Sequence, residues 1–180
     1  MVLRDTDHGP EVLLVERNPE SRFMAGAWVF PGGALHDDDG DPAVAGIREL
    51  EEEADIQIES PDALVPWSRW ITPAQVKIRF DTWFFVARAP EGAVAKCDGE
   101  ECVDARWYRP QDALDARQRD ELLLVFPTIH HLHELAMAES VEHALEAARS
   151  RRIQPVEPRV VQDHGGVARV LLPGEPGYDD

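Results

Sequence analysis

Three things are scarce in this chain. Among 180 residues there are two cysteines, Cys97 and Cys102, and only 18 Lys and Arg against 35 Asp and Glu, a formal charge of −17. No apolar run approaches the ~18 residues that a membrane-crossing helix needs. Two thiols exclude a disulfide scaffold and leave a zinc site short of further soft ligands, so both are read as reduced and structural. The shortage of cations excludes a nucleic-acid partner, because gripping a phosphate backbone requires a Lys/Arg surface. A small phosphorylated ligand stays possible if a metal ion offsets the carboxylates around it. The first five residues, Met1-Val2-Leu3-Arg4-Asp5, carry charge and lack the apolar centre of a signal peptide. The expectation is therefore a cytoplasmic protein with no membrane partner.

What is present is an ordinary globular composition, 43% hydrophobic and 29% charged. Val12-Leu13-Leu14-Val15 predicts a buried strand, pairing with Val2-Leu3-Arg4 across the Asp7-His8-Gly9-Pro10 turn. Trp28-Val29-Phe30 predicts a short strand stopped by Pro31-Gly32-Gly33. Further strands are expected at Ile56 to Ile58, Phe80 to Val86 and Cys102 to Tyr108. Asp41-Pro42 is a helix start, with Asp as cap and Pro at the first helical position, and that helix should run to about Ala54. Others are expected from Pro110, from Thr128 to Ala138, and from Ser140 to Arg151 with Ser140 as cap. Strands and helices intermix, so the class is α/β (α+β) with a mixed sheet.

The chain divides at about residue 155. Residues 1–155 form the expected main domain. Residues 156–180 carry two Val-rich stretches, Val160-Val161 and Val167 to Leu172, separated by Gly165-Gly166, and end at Tyr178-Asp179-Asp180. They read as a hairpin or extended arm with a loose end, packed on the same domain or on a partner subunit. A sheet edge completed by another copy would give a homodimer.

Between Asp41 and Asp55 the helix carries the most informative pattern. At 100° per residue Glu49, Glu52 and Glu53 fall within one arc, while Ala43, Ile47, Leu50 and Ala54 fall on a face suited to burial. Ala45 and Gly46 lie one turn earlier, expected to leave open space above the carboxylates. Arg48 is within reach of Glu52, four residues on. Three like charges on one arc repel by about 0.2–0.5 kcal/mol per close pair. A hard divalent cation removes that cost by taking carboxylate oxygens, whereas a plain solvated acidic face simply tolerates it.

Arg48-Glu49-Leu50-Glu51-Glu52-Glu53-Ala54-Asp55-Ile56, entered from Phe30-Pro31-Gly32-Gly33, resembles the Nudix box. That pattern reads Gly, five residues, Glu, seven residues, Arg-Glu, an aliphatic, any residue, Glu-Glu, any residue, Gly, an aliphatic. The chain departs from it in three places. Fourteen residues separate Gly33 from Arg48, one more than the pattern has; the early Glu is missing, with Asp39 or Asp41 as stand-ins; and Asp55 stands where Gly is usual. Asp tolerates the left-handed backbone that such a Gly serves better than most residues.

The resemblance implies a Nudix-type α/β/α sandwich and a MutT-like, metal-dependent hydrolase of diphosphate linkages using Mg2+ (or Mn2+). It implies Glu49, Glu52, Glu53 and the Gly33 carbonyl as metal ligands, with Glu49 and Glu52 catalytic and Arg48 orienting a glutamate. Glu101, or Glu100 beside it, is a candidate base. Upstream, the spacing of Arg17, Arg22, Gly26 and Phe30-Pro31-Gly32-Gly33 is similar to the extra signature of the coenzyme A diphosphatases. The wording from Phe23 to Phe30, Trp70-Ile71-Thr72-Pro73 and Arg79 to Phe85 is similar to the branch of the mammalian peroxisomal, kidney-type enzyme and its bacterial relatives.

Arg17, Arg22, Gly32, Gly33 and Arg79 are then the expected substrate-binding residues, since guanidinium makes paired bonds to phosphate oxygens. The implied substrate is a nucleotide, foremost CoA or acyl-CoA. NADH, ADP-ribose or another nucleotide is the alternative, as is a non-catalytic Nudix-fold binding module. Trp67, Trp70 and Trp83 are read first as core, and His130, His131 and His133 as part of a packed helix rather than a second metal site.

Overall fold

The computed structural model describes residues 1–162 and 168–178. Strands are β1 (Val2–Thr6), β2 (Gly9–Arg17), β3 (Trp28–Val29), β4 (Val65–Ile71), β5 (Asp81–Arg88), β6 (Cys102–Tyr108), β7 (Pro155–Val156), β8 (Arg159–Gln162) and β9 (Ala168–Leu171). Helices are α1 (Pro42–Ala54), α2 (Pro110–Gln118), α3 (Phe126–Leu135) and α4 (Val141–Arg149).

The centre is β2, because Val12, Leu13, Leu14 and Val15 are all fully buried. Side chains alternate across a strand, so such a run must be covered on both faces. Val12 and Leu14 pack with Leu3, Trp67, Val86, Leu132 and Val141 under α2, α3 and α4. Leu13 and Val15 pack on the other face with Leu50 and Ala54 of α1, with Ile56 and with Cys102. Two helical layers thus enclose one sheet, the expected α/β/α sandwich.

The sheet is mixed. It runs β3-β2-β1-β5-β4-β7, with β6 also on β2. Val12 pairs with both Leu3 and Tyr108, and Val15 with both Val29 and Ala105. So β6 takes one edge of β2, and β1 and β3 share the other. The β1–β5 and β4–β7 pairs are parallel.

Local signals set several boundaries. Asp41 accepts from Ala43 N at 2.8 Å and Pro42 opens α1. Asp55 ends it in the left-handed region, φ 55° and ψ 33°. Ser140 caps α4 through His143 N at 3.1 Å.

Elsewhere the structure differs from the reading of the sequence. Ile56 to Ile58 is not a strand; Ile56 is a core plug following the helix. β4 was not expected, since Pro66, Ser68 and Arg69 dilute its pattern, and its ladder to β5 carries an irregularity between Pro66 and Ser68. α3 starts two residues earlier, at Phe126, and stops at Leu135. The space above Gly46 is filled: a Cβ there would stand 3.2 Å from Leu64 Cδ2.

In the tail, β8 pairs antiparallel with β9, Arg159 opposite Leu171 and Gln162 opposite Ala168. β7 adds a strand beside β4. Gly165-Gly166, Val167 and Asp179-Asp180 lie outside the described residues. Among the described residues no helix is long and apolar enough to cross a membrane.

Candidate active site at the end of the acidic helix

The end of α1 meets the loop after β3. Glu53, 3% exposed, turns inward and accepts from Gly32 N at 2.8 Å. Glu49, also buried, lies against the next residue: a Cβ on Gly33 would come within 2.5 Å of its carboxyl carbon and both oxygens. A side chain at 33 would therefore displace the Glu49 carboxylate from its place against this backbone. Two acidic groups are thus brought to one stretch of backbone, Gly32-Gly33.

Burial works against the charge on Glu53 and pushes its carboxyl up to about 7, although the Gly32 N–H bond opposes the shift. The Cys102 thiol also points at it, Sγ to Oε1 3.5 Å. Burial raises that thiol in turn, and the neighbouring Glu53 carboxylate adds to the effect. Nothing in the sequence pattern signalled Cys102 as a neighbour of the box.

Glu52 points the other way. Its side chain is 58% exposed and accepts from Arg48 Nη1 at 2.9 Å. The same nitrogen donates to Glu49 Oε1 at 2.8 Å, so one guanidinium bridges two of the three glutamates. Its other face is clamped by Asp39, Nε to Oδ1 and Nη2 to Oδ2 both 3.0 Å, and Nη2 also reaches the Ala34 carbonyl at 2.9 Å.

Of the two acids expected near the missing early Glu, Asp39 is the one bonded to Arg48, while Asp41 is spent on capping. Arg48 and the His36 N–H hold the Asp39 carboxyl down to about 2, and Asp39 foremost holds Arg48 protonated. With Arg48 between Glu49 and Glu52, no three His, Cys, Asp or Glu side chains among the described residues already stand together at metal-binding spacing.

The other expected site residues spread along the same end of the sheet. Arg17 closes β2, pairs with Cys102 in the ladder, and lies near enough to Glu53 to favour its ionised form. Its Nε donates to the Phe23 carbonyl at 3.3 Å. Glu101 is exposed next to Cys102; its carbonyl accepts from Asn18 N at 2.9 Å and its N–H donates to Asp98 Oδ2 at 3.1 Å. Arg22 is exposed on the loop between β2 and β3. Arg79 is drawn elsewhere, to Glu157 at 2.6 Å and to the Thr72 carbonyl at 3.0 Å.

On the far face a second polar group is buried. His131 is fully enclosed, with Nδ1 2.6 Å from the Pro127 carbonyl and Nε2 2.6 Å from Ser68 Oγ. A carbonyl only accepts, so the proton sits on Nδ1 and Ser68 donates to Nε2. Burial lowers this imidazole to about 3. Beside it Glu134 takes Trp67 Nε1 at 2.8 Å and Arg151 at 3.1 Å, and Arg151 stacks 3.6 Å above the Trp67 ring. Trp67 and Trp70 are core, 2% and 5% exposed. Two surface depressions, about 270 and 420 Å3, flank this cluster, both bounded by Trp67, Glu134 and Arg151; neither is lined by α1. The three residues that the two depressions share, Trp67, Glu134 and Arg151, are already bonded to one another.

Comparison with known proteins matches residues 1–127 to the NUDIX domain family. Putative nudix hydrolase 7 of Caenorhabditis elegans is 23% identical over 209 residues, covering 94% of this chain and 70% of that protein. Acyl-coenzyme A diphosphatase NUDT19 of Xenopus laevis is 26% identical over 125 residues, 66% of this chain and 33% of that protein. The chain thus spans about a third of the frog protein's length. Among solved structures, a NUDIX hydrolase from Alicyclobacillus acidocaldarius superposes with a TM-score of 0.70 at 26% identity, covering 81% of this chain and 92% of the other.

Proposed function

We propose, from the premise that this chain belongs to the NUDIX domain family and is a hydrolase acting on diphosphate bonds, that its substrate is coenzyme A or an acyl-CoA and its cofactor Mg2+ or Mn2+. The observation that carries the reading is the meeting of Glu49 and Glu53 on the Gly32-Gly33 backbone, with Arg17 at the end of β2 beside them.

The donor types suit a hard cation, which would take the place that Arg48 Nη1 holds between Glu49 and Glu52. Glu49, Glu52 and Glu53 supply carboxylate oxygens, and among the described residues no cation is bonded to the buried Glu53. These three, with the Gly33 carbonyl, would hold the ion. When bound, the ion neutralises diphosphate oxygens and lowers the pKa of a water. The remaining work falls to the chain. Arg48 positions Glu49 and Glu52, the two carboxylates it bridges. Arg17 and Arg22 bind phosphate oxygens, including the 3′-phosphate that distinguishes CoA from ADP-ribose and NADH. Glu101 takes the proton of the attacking water.

The name of the frog relative and the Arg17, Arg22, Gly26 spacing support CoA as the substrate. Arg79, paired with Glu157, supports the substrate role least.

The test is a substrate panel read by liquid chromatography with Mg2+ or Mn2+. CoA should yield a phosphopantetheine and adenosine 3′,5′-bisphosphate, with a higher kcat/KM than ADP-ribose or NADH. Absence of CoA cleavage at every metal concentration would sink the substrate assignment. Glu52→Gln and Glu53→Gln separate an enzyme from a binding module. Both should abolish turnover, and unchanged nucleotide binding with no turnover in the unaltered protein would favour the module.

A further inference from the structure

Two loops beside the candidate site touch each other. Residues 18–27 join β2 to β3 and residues 72–80 join β4 to β5. Phe23 of the first meets Phe80 of the second, ring centroids 5.8 Å apart and planes tilted by 49°. Both rings remain close to half exposed, at 45% and 49%, and Met24, Val76 and Ile78 on the same loops are exposed as well. Scattered surface apolar residues need no explanation, but five on two touching loops form a patch of the kind that marks binding.

The loops are tied down. Gly26, whose φ of 69° makes the return, donates to the Arg17 carbonyl at 3.1 Å, and Arg17 N donates to the Ala27 carbonyl at 2.9 Å. Thr72 N donates to the Phe80 carbonyl, and Phe80 N to Thr72 Oγ1, each at 2.9 Å. Met24 sits at φ 52°, a left-handed backbone that costs a non-glycine residue roughly 1–2 kcal/mol.

Charge on these loops runs against the rest of the molecule. Arg22 and Lys77 interleave with the apolar residues beside a single acid, Glu20, while Arg79 is taken up by Glu157, in a chain whose acids outnumber its Lys and Arg 35 to 18. The patch is continuous with the candidate site, because Arg17 Nε donates to the Phe23 carbonyl. Basic and apolar groups side by side suit an anion with an apolar extension. Five partly exposed side chains fall short of the ~800 Å2 per partner of a standard protein interface.

We propose that Phe23 and Phe80, with Met24 and Ile78 beside them, form the specificity-determining subsite for the apolar acyl group that an acyl-CoA carries at the end of its pantetheine chain. This rests on the CoA reading above. The test is a ladder of CoA, acetyl-, octanoyl- and dodecanoyl-CoA, with ADP-ribose as a tail-free control, run on unaltered protein and on Phe23→Ser/Phe80→Ser. The single variants and their melting temperatures guard against misfolding. In the unaltered protein kcat/KM should rise at least tenfold along the ladder, and in the double variant the rise should shrink to about twofold.

The same ligands titrated calorimetrically into Glu52→Gln protein read the dependence as Kd, independently of turnover. CoA cleavage with no chain-length dependence overturns the subsite and leaves the CoA reading standing. Cleavage of ADP-ribose with refusal of every CoA ligand overturns both. A dimer by light scattering that the double variant dissociates makes the patch a subunit interface and also overturns the proposal.

Discussion

Two polar clusters, each built around a buried group, lie on opposite faces of the sheet, and they are finished differently. Around α3, His131 has an acceptor on one ring nitrogen and a donor on the other, and Glu134 has Arg151 and the Trp67 N–H. Every group there is answered, as a structural cluster requires. At the end of α1, Glu53 is as deeply buried as His131 but, among the described residues, receives only a backbone N–H and a thiol, and its carboxyl rises to about 7. Arg48 answers Glu49 and Glu52 instead. Burial of a carboxylate short of positive charge is expensive, and such sites concentrate where function needs them.

The comparison breaks most visibly under loss of the acidic end. Glu52→Gln, Glu53→Gln or removal of divalent metal with EDTA should lower kcat by about three orders of magnitude or more, the scale of losing a principal electrostatic group. The melting temperature of the metal-free protein should fall little in either variant. A loss of fold instead would make these glutamates structural, like Glu134.

His131 should behave in the opposite way. Its folded pKa is depressed to about 3 from an ordinary 6.5, so the unfolded chain binds the proton more readily. The stability it contributes is full above about 6.5 and is lost as pH falls toward 3, a loss of several kcal/mol if no other group compensates. Urea unfolding across that range should show the slope, and His131→Asn should reduce it while lowering stability at neutral pH. Activity per folded molecule should be unchanged.

Arg48→Ala stands between these extremes. It leaves Asp39, Glu49 and Glu52 without their shared cation, so a loss of about 1–3 kcal/mol is expected together with a drop in kcat. Asp39→Asn should reproduce part of both effects in calorimetry and rate assays, whereas Asp41→Asn, which keeps a capping oxygen, should leave the rate alone. The smallest effect is Asp55→Gly. Glycine removes the left-handed penalty at the end of α1 and should stabilise by up to about 1 kcal/mol in thermal melts.

Much of this was legible because it is local. The cap at Asp41, the stop at Asp55 and the two-sided burial of Val12 to Val15 each depend on a few neighbouring residues, and the structure keeps all three. Cys102 to Tyr108 matches its strand end to end. β4 was not legible, because Pro66, Ser68 and Arg69 are held in a strand by β5 and β7 rather than by their own pattern. Nor was the space above Gly46, which Leu64 fills from beyond the helix.

By itself the sequence determined that three glutamates and an arginine would share one helix surface, since 3.6 residues per turn is a property of the backbone alone. Tertiary structure decided how those groups divide. The path of the loop from Gly33 to Asp41 gave Arg48 to Asp39, the packing of β6 set Cys102 against Glu53, and the approach of Gly33 turned Glu49 inward while Glu52 stayed out. Each depends on contacts between segments far apart in the chain, and helical spacing carries no information about which distant segment arrives.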